Sequence, residues 1–286
     1  MRTDSEIISF ARTLGISCCG FAAWEGRSAF VCLFPYYTGE LPPFPMARYA
    51  RIPDYHRVAK GYLQKIADFI GEDCRIFVDS GQLPERRLAV LAGLGWIGKN
   101  ACLINPIYGS YVFIGVLLLN RKAAWQTATD AMAGSVGGGS EQGAADRLAT
   151  TGIPNGCGDC RACVRACPGR ALSPMDFSRC ISHLTQKKEL SGEEEEMVRR
   201  AGSVWGCDVC QAVCPKNTGI PKTPIREFYG LTLTSLEGIE ALSNRGFLKK
   251  YREYPFTWRG RGPLVRNSKL TGLYFPGNKE DGGKQK

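Results

Sequence analysis

The chain has 286 residues, of which 44% are hydrophobic and 22% charged, with a formal net charge of +10 and 13 cysteines. That apolar content is enough to bury a core in one large or two modest domains, which excludes a mostly disordered chain, and the basic balance favours an anionic partner. Without a secretory leader, so many cysteines argue against a disulfide framework and for metal binding, because thiols stay free in a reducing compartment.

The opening stretch MRTDSEIISFARTLGISCCGFA lacks a basic flank, an apolar core and a cleavage site. It reads as an amphipathic first helix ended by Gly15, not as a signal peptide. AFVCLFPY looks like a buried strand, and Tyr55 to Ile70 spaces its apolar residues three and four apart, as a second helix does. CRIFVDS follows as a strand running into a polar turn, RRLAVLAGLG as a short helix stopped by glycine, and YVFIGVLLL as a further strand. That last run is the longest apolar one and falls far short of the ~20 residues of a membrane span. No membrane is expected, and the protein is placed in the cytoplasm, as a monomer.

Alternation of strand and helix over residues 1–120 favours a layered α/β domain. Residues 121–156 contain DAMAGSVGGGSEQGAADRLATTG, which has no apolar period and reads as a flexible insertion. A cysteine region spans 157–222 and includes KKELSGEEEEMVRR, a solvated helix with its acids near the N-terminus. Residues 223–286 hold helical fragments, the basic aromatic stretch FLKKYREYPFTWRGRGPLVRNSKL, and a polar tail from Asn278.

Within the cysteine region, CGDCRACVRACP places Cys157, Cys160, Cys163 and Cys167 in the C-x2-C-x2-C-x3-C-P pattern of bacterial ferredoxins. In that pattern three cysteines hold one [4Fe-4S] cluster and the fourth reaches to a second cluster, so a complementary set is required. CDVCQAVCP supplies Cys207, Cys210 and Cys214, and Cys180 brings the total to eight. The swap assigns Cys157, Cys160, Cys163 and Cys214 to cluster one, and Cys167, Cys180, Cys207 and Cys210 to cluster two. Zinc is the alternative, but structural zinc sites favour two separated ligand pairs over three ligands at successive short gaps. Cys18, Cys19, Cys32, Cys74 and Cys102 sit among apolar residues and are expected in the core. Two clusters form an electron wire that needs about sixty residues, so the larger remaining part is where the electrons are expected to be used.

FVDSGQLPERRLAVLAGLGWIGKN, LINPIYGSYVFIGVLLL, MARYARIPDYHRV, RCISHLT around Cys180 and WGCDVCQAVCPKN together resemble the epoxyqueuosine reductases. The resemblance covers most of residues 30–220. It implies an α+β protein: an N-terminal α/β cobalamin-binding domain related to the reductive dehalogenases, then a ferredoxin-like double [4Fe-4S] domain. It also implies reduction of the epoxide of epoxyqueuosine in tRNA, with electrons from an external donor such as a flavodoxin or ferredoxin system and the tRNA anticodon stem-loop as partner. Longer members continue into a helical-repeat domain, whereas this sequence stops soon after WRGRGPLVRNSKLTG. Lys249, Lys250, Arg252, Arg259, Arg261 and Arg266, interleaved with Tyr251, Tyr254, Phe256 and Trp258, are either RNA contacts or a packed amphipathic tail. A small-molecule reductase and a non-enzymatic electron carrier are the competing functions.

Asp79 matches the family's proton-donating aspartate. Reducing an epoxide needs a proton for the departing oxygen, which a carboxyl supplies if burial raises its pKa. The alternative role for Asp79 is that of a turn residue. Tyr49, Asp54 and His56 match a segment near cofactor or substrate, and Ser182 matches a position beside the cofactor. DYHRVA starts like the D-x-H-x-x-G cobalt-ligand signature but has Ala59 at the glycine, so axial histidine ligation is not expected. GLGWIGKN lacks the spacing of a phosphate loop. It is read as a wall against a flat cofactor, with Gly98 allowing close approach and Lys99 and Asn100 at the polar edge.

Overall fold

The computed structural model describes residues 1–122, 156–172 and 174–273. Most of the expected insertion and the tail from Asn278 lie outside the described residues. A four-stranded sheet in the order β1-β2-β6-β3 organises the N-terminal part. Its strands are β1 (Cys19–Trp24), β2 (Arg27–Pro35), β3 (Cys74–Val78) and β6 (Val112–Leu119), and every pairing is antiparallel. β4 (Trp96–Ile97) and β5 (Leu103–Ile104) make a separate short hairpin.

Helices cover both faces of the sheet, which is why central β2 and β6 are nearly continuous apolar runs. On one face, α1 (Asp4–Thr13) and α2 (Tyr55–Ile70) pack Ile7, Leu63 and Ile66 against Phe30 and Phe34. On the other, α3 (Glu85–Leu91) packs Leu88 and Val90 against Val31 and Leu33. α2 begins where the Asp54 carboxylate accepts the His56 N–H (3.0 Å) and stops at Gly71, which adopts φ 69° as a left-handed cap. Between these ends Tyr55, Ala59, Leu63, Ile66 and Ile70 form one buried stripe. Fully buried Leu63 and Ile66 each contribute about 1.5–3 kcal/mol.

The cysteine region follows as short helices: α4 (Ala162–Ala166), α5 (Ile181–Leu184), α6 (Gly192–Ala201) and α7 (Val209–Ala212), with α4 packed on α7. α6 is the acidic helix, started by a capping box between Ser191 and Glu194. Asn217 fastens this region to the sheet. Its Oδ1 accepts the Ser110 N–H (2.7 Å), and its Nδ2 donates to Ser110 Oγ (2.9 Å) and Gln211 O (2.7 Å). Gly109 is needed at this joint: its φ is +59°, and a Cβ there would lie 2.0 Å from Asn217 Oδ1.

α8 (Asn244–Tyr251), a 3-10 turn (Pro255–Arg259) and α9 (Gly262–Leu270) close the described chain. Tyr251, Tyr254 and Phe256 are core residues, packed with Phe247 and Trp205. Three of the cations bond the chain itself as well, since Lys250 Nζ donates to Glu237 O (3.3 Å), Arg261 Nη1 to Glu240 O (3.2 Å) and Arg266 Nη1 to Lys187 O (3.0 Å) and Lys188 O (2.8 Å). The packed-tail reading therefore holds for three of the four aromatics, while Trp258 stays 61% exposed with the Arg259 guanidinium 4.0 Å from its ring centroid.

Candidate active site and cluster loops

A cavity of about 1770 Å³ lies between the sheet domain, the cysteine region and the C-terminal helices. It is larger than the usual range for a drug-sized ligand. Asp79, Glu85 and α2 face it from one side, Ser182 and Gln211 from another, and Phe247 and Trp258 from a third.

Asp79 ends β3 in the left-handed region, at φ 47°. A non-glycine residue is uncommon there, so neighbouring contacts must hold it. One is the Tyr55 hydroxyl, which donates to Asp79 Oδ2 at 2.5 Å. Tyr55 is in turn fixed between the Phe113 ring (3.9 Å, 8° between planes) and the His56 ring (4.0 Å). Burial first, then the Asp79 charge, push the Tyr55 phenol well above its ordinary value, so it remains a donor. His56 Nδ1 donates to Asp54 Oδ1 (2.8 Å), which turns Nε2 toward Asp79 Oδ2 at 3.9 Å. Burial raises the Asp54 pKa, but the His56 ring and backbone N–H outweigh it and the net shift is downward. Two hydrogen-bonded pairs, Tyr55–Asp79 and His56–Asp54, thus stand side by side on the cavity wall, with His56 Nε2 approaching Asp79 at 3.9 Å.

The Asp79 side chain is 66% exposed, so the buried acid expected from the sequence is not this residue. Glu85 fits that description. It stands in the first turn of α3, lines the same cavity, and accepts the Ser80 N–H at 3.3 Å. Burial, then the neighbouring Asp79 charge, raise its pKa to about 7. Its only signal in the sequence was the acid of LPERR, which reads equally as a first-turn helix residue.

The remaining predicted contacts divide. Tyr49 and Ser182 line the cavity, and the Tyr49 hydroxyl accepts from Gln186 Nε2 at 3.3 Å. Lys99 points elsewhere: its ammonium donates to Gly158 O (2.5 Å) and Cys160 O (3.0 Å), clamping the first cysteine loop. Asn100 is buried and its Oδ1 accepts the Cys102 N–H (3.2 Å), so it braces its own turn. A Cβ on Gly98 would lie 2.5 Å from Ile104 Cδ1 and 2.7 Å from Asn100 Oδ1, so this glycine is required by packing inside the β4–β5 hairpin. None of these three lines the cavity.

The cysteines gather around Cys210, which interacts with members of both predicted groups. Cys214 interacts electrostatically with Cys157, Cys160 and Cys210, and Cys163 with Cys210, Cys157 and Cys214. Cys180 interacts with Cys167 and Cys210, and Cys207 with Cys180 and Cys210. Among the described residues no three His, Cys, Asp or Glu side chains converge as the ligands of one ion do. Burial raises the Cys207 thiol to about 12, so binding as a thiolate would need the metal to offset that cost. Cys18, Cys19, Cys32 and Cys74 lie in or against the core as expected. Cys102 does not, since it lines the cavity and meets Cys210.

Comparison with known proteins agrees with this layout. The family model described as "4Fe-4S double cluster binding domain" matches residues 156–217, and "Epoxyqueuosine reductase QueG, DUF1730" matches residues 23–80. The chain is 34% identical over 236 residues to the epoxyqueuosine reductase of Bacillus anthracis, covering 78% of this chain and 55% of that protein. The enzyme of Leadbetterella byssophila is 35% identical over 216 residues, covering 72% and 64%. The chain therefore spans little more than half the length of the curated relatives it matches. Among solved structures, epoxyqueuosine reductase from Bacillus subtilis with its catalytic aspartate loop swung out of the active site has a TM-score of 0.69 at 25% identity, covering 93% of this chain and 80% of that one. Epoxyqueuosine reductase with an epoxyqueuosine-modified tRNA stem loop superposes with a TM-score of 0.68, also at 25% identity and with the same coverage. A double-cluster cysteine region, a sheet domain ending in the Asp79 turn, and agreement of sequence and fold over most of the chain lead to one conclusion: it belongs to the epoxyqueuosine reductase family.

Proposed function

We propose that the protein is a cobalamin-dependent iron-sulfur reductase that converts epoxyqueuosine in tRNA to queuosine. The observation that carries this reading is the cavity itself, with the Asp79–Tyr55 and Asp54–His56 pairs on one wall and Ser182 and Gln211 of the cysteine region on another. Cys157, Cys160, Cys163 and Cys214 hold cluster one, and Cys167, Cys180, Cys207 and Cys210 hold cluster two. The cavity has room for a corrin beside a nucleoside, with Tyr49, Ser182 and Gln211 on the cluster side and Asp79 facing them. When bound, the reduced cobalt of the corrin supplies the electron-rich centre that epoxide opening needs.

The residues of the chain do the rest. Asp79 delivers a proton to the departing oxygen, Tyr55 and His56 hold its carboxyl toward the cavity, and Asp54 fixes the His56 ring. Electrons come from an external low-potential carrier such as a flavodoxin or ferredoxin. Cluster one is where that carrier is met, because Cys160 is exposed on its loop. Trp258 and Arg259 at the cavity rim, with exposed Arg252, suit stacking on an unpaired base and contact with phosphates of the anticodon stem-loop. No helix among the described residues is long and apolar enough to cross a membrane.

The test is anaerobic purification and reconstitution, with metal analysis and nucleoside analysis of epoxyqueuosine-containing tRNA after incubation with a chemical reductant. About eight irons and one cobalt per chain are expected, with queuosine appearing as epoxyqueuosine is lost. Zinc in place of iron, or a fully loaded protein that leaves epoxyqueuosine intact, refutes the proposal.

A further inference from the structure

Turning an epoxide into an alkene removes its oxygen as water, which takes two electrons and two protons. The Asp79 carboxyl accounts for one proton. Asp79 donates once and is then a carboxylate, still held by Tyr55, and it needs a new proton before the oxygen can leave.

We propose that Glu85 supplies the second proton of the reduction, passing it to Asp79 after Asp79 has given up the first. This inference rests on the proposed epoxide reduction. Three features carry it. Glu85 lies six positions after Asp79 at the other end of the same turn and faces the same cavity. Its carboxyl accepts backbone N–H groups of that turn, from Ser80 at 3.3 Å and also from Asp79, so it stays beside Asp79 while the turn is in place. It is half-buried where the Asp79 side chain is 66% exposed, and burial raises the Glu85 pKa to about 7.

The groups that set its charge come from each surrounding element. Asp79 disfavours its ionisation and His56 favours it. Asp54 at the N-cap of α2 and Lys60 in its second turn face the cavity, Arg86 and Arg87 follow on α3, and Cys102 stands on the opposing loop.

The balance closes. The first C–O bond breaks as one proton passes from Asp79 to oxygen. Glu85 then protonates Asp79. The second C–O bond breaks as that proton leaves with oxygen as water, and the carbon–carbon double bond forms. Two electrons arrive from the external one-electron carrier, and both carboxylates take up protons from solvent before the next turnover. Glu85 acts through Asp79 and touches no reacting atom.

The test compares wild type, E85Q, E85D and D79N, each loaded with clusters and cobalamin and driven by titanium(III) citrate. Glutamine keeps the acceptor for the Ser80 N–H but carries no transferable proton. Wild type should lose rate as pH rises through about 7. E85Q should be slower by about 10²–10⁴-fold without that limb, and E85D should restore the limb. Infrared titration should show a carboxyl band that disappears near pH 7 in wild type and is missing from E85Q. Wild-type rate and pH profile in E85Q, or no carboxyl titrating in that range, overturns the inference. A loaded wild-type enzyme inactive at every pH refutes the substrate reading instead, and the infrared titration then still decides whether Glu85 holds a proton.

Discussion

Replacing Tyr55 with phenylalanine tests how the aspartate turn is held. The ring would keep its stacking on Phe113 and His56 and lose only the hydroxyl that donates to Asp79 Oδ2 at 2.5 Å. A hydrogen bond to a charged group is worth about 1.5–3 kcal/mol. Asp79 occupies the left-handed region at φ 47°, so little intrinsic preference keeps the turn in place once that bond is gone. At 1.36 kcal/mol per factor of ten, the population with Asp79 facing the cavity should fall about 10- to 150-fold. Single-turnover reduction with excess chemical reductant should slow by that factor while cluster absorbance and thermal stability stay near wild type. Hydrogen exchange over residues 79–84 should speed up in parallel. A Tyr55→Phe enzyme with wild-type turnover and unchanged exchange would refute the idea that this bond holds the turn.

Asn217→Ala removes two hydrogen bonds that join the second cysteine loop to Ser110 and one within that loop to Gln211, and should cost about 1.5–4.5 kcal/mol in urea unfolding, with iron content falling toward a single cluster. Asp54 has a lowered native pKa, so its contribution is present above its ordinary value of 3.8 and is lost as pH falls through the native value. Thermal melts of Asp54→Asn should accordingly converge on wild type as the pH drops below about 4, and fall short of it at pH 6. Trp258→Ala should weaken binding of a modified anticodon stem-loop by about 5- to 150-fold, the loss of one stacked base, with cluster content unchanged; equal affinity would remove Trp258 from the RNA surface.

Much of this architecture could be read from the residues in advance. α2 runs over Tyr55–Ile70 as its apolar spacing implies, because the Asp54 cap and the left-handed Gly71 both mark its ends locally. The eight spaced cysteines also come together, as short intervals between cluster ligands require, although Cys210 meets members of both predicted groups. β1 was missed. CGFAAW has little β-branched character, and its real signal is the Glu25-Gly26 pair, whose φ values of 47° and 75° make the tight hairpin that pairs Trp24 with Arg27. Lys99 and Asn100 were misplaced because their roles depend on what folds against them from a distance: the carbonyls of Gly158 and Cys160 arrive from about sixty residues away. The burial of Glu85 beside an exposed Asp79 has a similar cause. Nearby acids look alike in a string of letters, and only packing decides which one loses its water.

The cavity draws its walls from five stretches far apart along the chain, around residues 49–60, 79–87, 97–114, 175–211 and 244–260. No one of them makes a binding surface alone, so a corrin occupying the space would act as a keystone, binding the assembled molecule and not its parts. Its affinity would be linked to global folding, raising the melting temperature in proportion to the logarithm of its free concentration. Loss of the cofactor would then loosen the C-terminal helices and the iron-bearing loops together, and apoprotein quality in any preparation would be set by how much cobalamin the cell had on hand.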